Sequence, residues 1–263
     1  MADHHWRRRI ILKEDKMEND AIRIVPLYGH APHAAAAPAA PAKLTYRNGP
    51  LIKAVEVFTI FWGTGWKTSP QSEMIAKVNG FFDFILTSPL VDQLSEYDTA
   101  AFKIGHGRRT GSVTLTTHSP GASVTDAALQ TFLKQQTAAA TVPKPTANSL
   151  YFIYLPPGVR VVMGGSSSCQ AFCGYHNSIG SGPFYAVMPY PGCAGCIGGL
   201  APFDALTSTS SHELCEAITD PIPGQGWYDD ANGEIGDICA WQTKKVGSYT
   251  VQLEWSNNAS ACV

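Results

Sequence analysis

The sequence predicts a mixed α/β fold, a sheet with flanking helices, and three observations carry that prediction. Segments rich in β-branched and aromatic residues alternate with segments whose apolar residues recur at helical spacing. The chain has 263 residues, 44% of them hydrophobic, with 24 Gly and 18 Pro, which suits a buried core connected by many loops. A late helical segment, residues 205–219, places His and Glu side chains on one face.

Taken in order, residues 1–43 are expected to be a disordered extension or propeptide. Alternating charges there give way to the Ala/Pro run 34–42, which has no face to bury, and four of the eight histidines (His4, His5, His30, His33) fall in it. Residues 44–263 are expected to form a single domain. Val55–Trp62 reads as a strand. Ser69-Pro70 starts a helix whose apolar face is Met74, Ile75, Val78, Phe81, Phe82 and Ile85. Ser88-Pro89 opens a short helix, Ser112–Thr117 a strand, and 125–136 another helix. Leu150–Leu155 and 159–163 are strands, and Phe184–Met188 is a further strand expected at the sheet edge. The helix of residues 205–219 ends at Asp220-Pro221, because proline disfavours helix at the residue before it. Tyr249–Trp255 is the last strand.

Charge narrows the class. A net charge of −2 with only 15% charged residues argues against nucleic-acid binding, and no apolar run reaches the roughly 18–20 residues of a membrane span. A monomer is expected. The seven cysteines all follow residue 168, in a half rich in Gly and Ser, which predicts disulfide-stapled loops and an oxidising, extracellular compartment. Cys215, inside the helix, is the expected free thiol. The other six allow 15 pairings, and the rival reading is a zinc site on Cys193-x-x-Cys196. Residues 1–30 show no signal peptide, since Arg7-Arg8-Arg9 is followed by only three apolar residues before Lys13.

The chemistry concentrates in residues 212–237, which hold seven carboxylates and no Lys or Arg. Such crowding costs repulsion unless a cation sits among them. In His212-Glu213-Leu214-Cys215-Glu216, His212 and Glu216 stand at i and i+4 and can grip one ion. Glu213 beside them can deprotonate a metal-bound water, the logic of the His-Glu-x-x-His zinc peptidases with Glu in place of the second His. Glu234, 18 residues on, is the preferred further ligand. Asp237 is nearly interchangeable with it, or orients His212. Asp220 reads as a turn former before proline, and Asp229-Asp230-Ala231-Asn232-Gly233 as a surface turn.

Several ordered motifs resemble the plant exordium, or phosphate-induced, proteins and their microbial relatives. They are Leu44-Thr45-Tyr46-Arg47-Asn48-Gly49-Pro50, Phe61-Trp62-Gly63, Gly105–Val113, Phe172-Cys173-Gly174-Tyr175-His176, His212–Ala217 with Thr219-Asp220-Pro221, Gly226-Trp227-Tyr228, Glu234–Cys239, and the closing Trp255 and Cys262. The resemblance covers about residues 44–263 and implies a secreted, cell-wall-associated protein. It also raises His176 from a loop residue to one facing the metal, as ligand or as donor to a developing oxyanion. Tyr175 and Tyr228 are weaker candidates for that donor. Cys215 stands where the family often has a small residue.

The leading expectation is a secreted zinc metallopeptidase acting on a peptide or protein. The alternative is a non-catalytic extracellular module stiffened by Ca²⁺. A glycosidase using two carboxylates ranks last, because it leaves His212 unexplained.

Overall fold

The structure, a computed structural model, describes residues 24–29 and 41–263. Its centre is a six-stranded mixed sheet made of β1 (Ile24–Pro26), β2 (Ala54–Trp62), β3 (Gly105–Leu115), β4 (Ser149–Tyr154), β5 (Phe172–Ser178) and β6 (Phe184–Met188). The spatial order is β1-β5-β6-β4-β2-β3. Strands β3, β2, β4 and β6 are mutually parallel, while β5 runs antiparallel to both β6 and β1.

Strands buried on both faces need apolar residues at odd and even positions alike, and β2, β4 and β6 have them. Val57, Phe61, Leu150, Phe152, Tyr154, Phe184, Ala186 and Met188 face one layer, with α1 (Gln71–Ile85) and α3 (Pro202–Thr219). Phe58, Ile60, Tyr151, Ile153, Tyr185 and Val187 face the other, under α2 (Asp126–Ala138). The result is a three-layer α/β sandwich, the predicted class.

Local signals succeed where sequence chemistry dominates and fail where packing does. Ser88 accepts from the Leu90 amide and caps the 89–92 helix as expected. Ser69 instead donates to Glu73 Oε1 at 2.6 Å, and Pro70 occupies the N-cap of α1 without a side-chain cap. Strand β3 begins at Gly105, ahead of the predicted 112, because its backbone runs close against β2: a Cβ on Gly107 would lie 2.4 Å from the Val55 carbonyl oxygen. Strand β6 is interior rather than an edge, flanked by β4 and β5. The predicted last strand is two pieces, Tyr249–Gln252 paired with Thr243–Val246, and Trp255–Ser256 paired with Ala261–Cys262.

The N-terminal reading also needs correction. Ile24–Pro26, assigned to an extension outside the fold, is the outermost strand of the sheet, with Val25 only 2% exposed. The Ala/Pro run and charges dominate the composition there and hide a short β-branched stretch. The rest of residues 1–40, including His4, His5, His30 and His33, lies outside the described residues.

Three disulfides join Cys169–Cys193, Cys173–Cys196 and Cys239–Cys262, and Cys215 is the buried free thiol. Cys193 and Cys196 belong to different disulfides, so they do not form a zinc pair. Each bridge closes a loop of 23 or 24 residues, worth about 3 kcal/mol in the chain-entropy view. Three bridges fit an oxidising, extracellular setting. Among the described residues, no single helix is long and apolar enough to cross a membrane.

Candidate metal centre

Helix α3 positions the site because it is a deeply embedded helix: every residue from Ala205 to Thr219 is buried. Its Ser and Thr residues make that possible, since each small hydroxyl can bond to a neighbouring element. Thr207 donates to the Thr250 carbonyl at 2.7 Å, Ser211 accepts from the Gln252 amide at 2.9 Å, and Ser210 bonds the Tyr154 hydroxyl at 2.8 Å. These ties fix the rotation of the helix, so its last two turns carry His212, Glu213 and Glu216 inward.

Two groups of side chains converge there and share Glu216. His212, Glu216 and Asp237 form one, and His176, Glu216 and Glu234 the other. Glu216 Oε1 lies 2.9 Å from His212 Nε2, and Asp237 Oδ1 lies 3.8 Å from the same nitrogen. Glu216 Oε2 is 3.4 Å from His176 Nδ1, and Glu234 Oε1 is 3.5 Å from His176 Nε2. The sequence preferred Glu234 as the partner of His212. The fold gives that place to Asp237, whose amide also donates to Glu216 Oε1 at 3.1 Å, and turns Glu234 toward His176.

Sequence reasoning left His176 on a loop, but it belongs to strand β5. The segment Cys173-Gly174-Tyr175-His176-Asn177 is poor in β-branched residues, which hid the strand. Its glycine has a spatial reason: a Cβ on Gly174 would lie 2.7 Å from Thr209 Cγ2 and 3.3 Å from Glu213 Oε1. Strand β5 therefore lies directly against α3. Gly236 does the same on the other side, since a Cβ there would meet the His212 ring at 2.8 Å.

The hydrogen-bond accounting separates the members of this centre. His176 Nε2 donates to the Asp220 carbonyl at 3.1 Å, and Nδ1 meets Glu213 Oε2 at 3.1 Å. Among the described residues, neither nitrogen of His212 has a hydrogen-bond partner; the Glu216 oxygen 2.9 Å away is close but not aligned with a ring N–H. Glu213 Oε1, Glu216 Oε2, Asp237 Oδ1 and both oxygens of Glu234 also lack donors. These groups are fully buried except for Asp237, whose side chain is 5% exposed. Unpartnered buried charge is costly. Ligands bound about 2.1 Å from one ion stand about 3.0–4.2 Å apart, depending on their angle. The 2.9, 3.4, 3.5 and 3.8 Å separations fall in or beside that range. The donor set therefore fits a divalent cation.

With protein charges alone, protonation is pushed away from its ordinary course. Burial works to lower the His176 pKa, but the hydrogen bond to Glu213 and the neighbouring Glu216 carboxylate raise it to about 10. His212 is raised well above its usual value despite burial, by Glu216 first. Burial and the Glu216 charge push Glu234 and Asp237 well above the carboxylate range. Burial raises Glu213 to about 6, whereas Glu216 falls to about 2, burial opposing and the histidines prevailing.

The remaining predicted carboxylates have other roles. Asp220 ends α3 and accepts from the Gly224, Gln225 and Gly226 amides at 2.6, 3.0 and 2.5 Å. Asp229 accepts from the Ala231 and Asn232 amides in a surface turn, and Asp230 pairs with Arg47. Tyr175 donates to Asp126 on the opposite face of the sheet, and Tyr228 lies under the Arg47 guanidinium. Glu254 escaped sequence reasoning. It is fully buried, and burial pushes it well above the carboxylate range while the charge of His212 opposes. An isolated acid between Leu253 and Trp255 was the available signal.

The centre is enclosed. A cleft of about 750 Å³ lined by Trp62, His118 and Phe132, and one of about 380 Å³ lined by Arg160, Tyr190 and Cys193, include none of its members.

No protein-family model matches the chain, and comparison with the curated proteins gives no match either.

Proposed function

We propose that the chain is a zinc-dependent hydrolase of peptide bonds, with the ion held by His212, Glu216 and Asp237. The observation that carries this reading is His212, fully buried with both ring nitrogens unpartnered, 2.9 Å from Glu216 and 3.8 Å from Asp237. His176 is already committed to the Asp220 carbonyl and to Glu213, so its set is the weaker seat. A zinc ion bound at the His212 set supplies a Lewis acid and a water acidified to near neutrality. Glu213 is the proton carrier. His176 Nδ1 holds Oε2, leaving Oε1 as the oxygen that accepts a proton and later gives it to the leaving amine. Burial, which pushes the Glu213 carboxyl up, favours its taking that proton. His176 thus positions the base. Three disulfides support a secreted protein, and the ordered motifs from Leu44 to Cys262 support kinship with the exordium proteins.

The test is Glu213→Gln. Zinc content and melting temperature should hold near wild type while peptide hydrolysis falls about 10²–10⁴-fold. Undiminished hydrolysis would reject the mechanism.

One observation favours a second reading. The oxygen-rich donor set and its deep burial also suit a hard ion with a structural role, a non-catalytic module stiffened by Ca²⁺. Melting that drops with a calcium chelator but not with a zinc-selective one, together with no turnover, would select it.

A further inference from the structure

The enclosed centre sits beside a sheet edge that the chain covers with its own N-terminal segment. Strand β5 would be the edge of the sheet next to the centre, but Ile24–Pro26 pairs with it antiparallel, Ile24 opposite Tyr175 and Val25 opposite Gly174. Directly opposed residues share a sheet face, so Val25 lies on the face where Gly174 packs against Glu213. Beyond the strand, the Tyr28 amide donates to the Gly195 carbonyl at 2.7 Å, and Trp241 Nε1 donates to the Pro26 carbonyl at 2.8 Å. Val25 clusters with Cys173 and Cys196, and Leu27 and Trp241 pack against that cluster. Apart from Tyr28 against Trp241, the contacts use backbone groups and aliphatic side chains. That is how an extended peptide is held on a sheet edge: main-chain bonds give affinity, and alternate side-chain pockets give preference.

We propose that the β5 edge is a binding site for an extended peptide, with a branched aliphatic residue in the place of Val25, and that Ile24–Gly29 is its built-in occupant. The proposal rests on the hydrolase reading for what happens next: such a peptide lies alongside Gly174 and His176, the strand that carries the partner of Glu213. Several features fit an occupant rather than an integral strand. Among the described residues its register with β5 shifts at Val25/Pro26, and β5 is its one sheet neighbour. In the sequence the Ala/Pro-rich stretch 34–42 joins this segment to the domain.

The experiment places a specific protease site within residues 34–40 of the full chain and cuts it after folding. A fluorescent peptide of the sequence Ile22–Gly29 is the probe. The cut chain should release its fragment and bind the probe at least tenfold more tightly than the uncut chain, with amide exchange in β5 quickened by release and slowed again by the probe. Val25→Asp in the uncut chain, which puts an unpaired charge at a buried position, should also admit the probe. A fragment that stays bound against excess probe, or equal probe binding by cut and uncut chains, overturns the proposal. Probe binding without hydrolysis sustains the peptide site and rejects the hydrolase reading. Equal hydrolysis by cut and uncut chains rejects the occupant and leaves that reading standing.

Discussion

Asp220 and Glu234 lie 14 residues apart in one acidic stretch, are both fully buried, and border the same histidine, yet they meet burial in opposite ways. Asp220 is satisfied by its own turn, taking three backbone amides from residues 224–226. Glu234 has no donor for either oxygen, and beside Asp220 its only protein recourse is to hold a proton. Burial alone therefore does not mark a metal ligand; an unanswered lone pair that converges with other such donors is the better sign. The exposed turn at Asp229 and Asp230 completes the contrast, since carboxylates facing water or Arg47 need no ion.

The sharpest way to break this comparison is Glu216→Gln, which weakens both ligand sets at once. Metal content should fall below a tenth of wild type, and the melting temperature should drop, because the loss leaves the other buried charges uncompensated, a cost of about 3–5 kcal/mol. Next comes Asp237→Asn against Glu234→Gln. Ion affinity should fall most in Asp237→Asn, about 10–100-fold or more, if the His212 set is the seat. An equal loss in Glu234→Gln would mean that both sets are filled and Glu216 bridges two ions. Asp220→Asn should cost about 1–3 kcal/mol in denaturant unfolding through poorer acceptance of its three amides, with the ion retained. Asp229→Ala, at the surface, should change stability by about 1 kcal/mol or less.

Protons offer another route. His212 and His176 are both held protonated at neutral pH by the surrounding carboxylates when no cation answers them. A cation at the His212 set must displace the protons that His212 and Asp237 hold without it, so binding at pH 7 should release about two per chain. Titration calorimetry in buffers of different ionisation enthalpy measures this directly. Affinity should fall with decreasing pH, since the same ligands then hold protons more firmly; an increase would contradict the assignment.

How much of this was legible in the sequence follows from the kind of signal each part carries. His212 and Glu216 at i and i+4 use helix geometry, which is local, and α3 ends at Asp220-Pro221 as read. The core strands β2, β4 and β6 announced themselves by β-branched and aromatic content. What escaped was set by distant packing. Strand β5 looks like a loop until α3 lies against Gly174, and the choice of Asp237 over Glu234 depends on how Gly236 stacks on the His212 ring. Glu254 and β1 reach their places through contacts with residues far away in the chain. The three disulfide pairings lay beyond local pattern for the same reason.

The most direct measurement is the metal content of the purified chain, compared among wild type, His212→Ala and Asp220→Asn. Wild type and Asp220→Asn should carry at least one divalent ion per chain, and His212→Ala should lose it. No ion in the wild type, or an ion that survives in His212→Ala, would contradict the account.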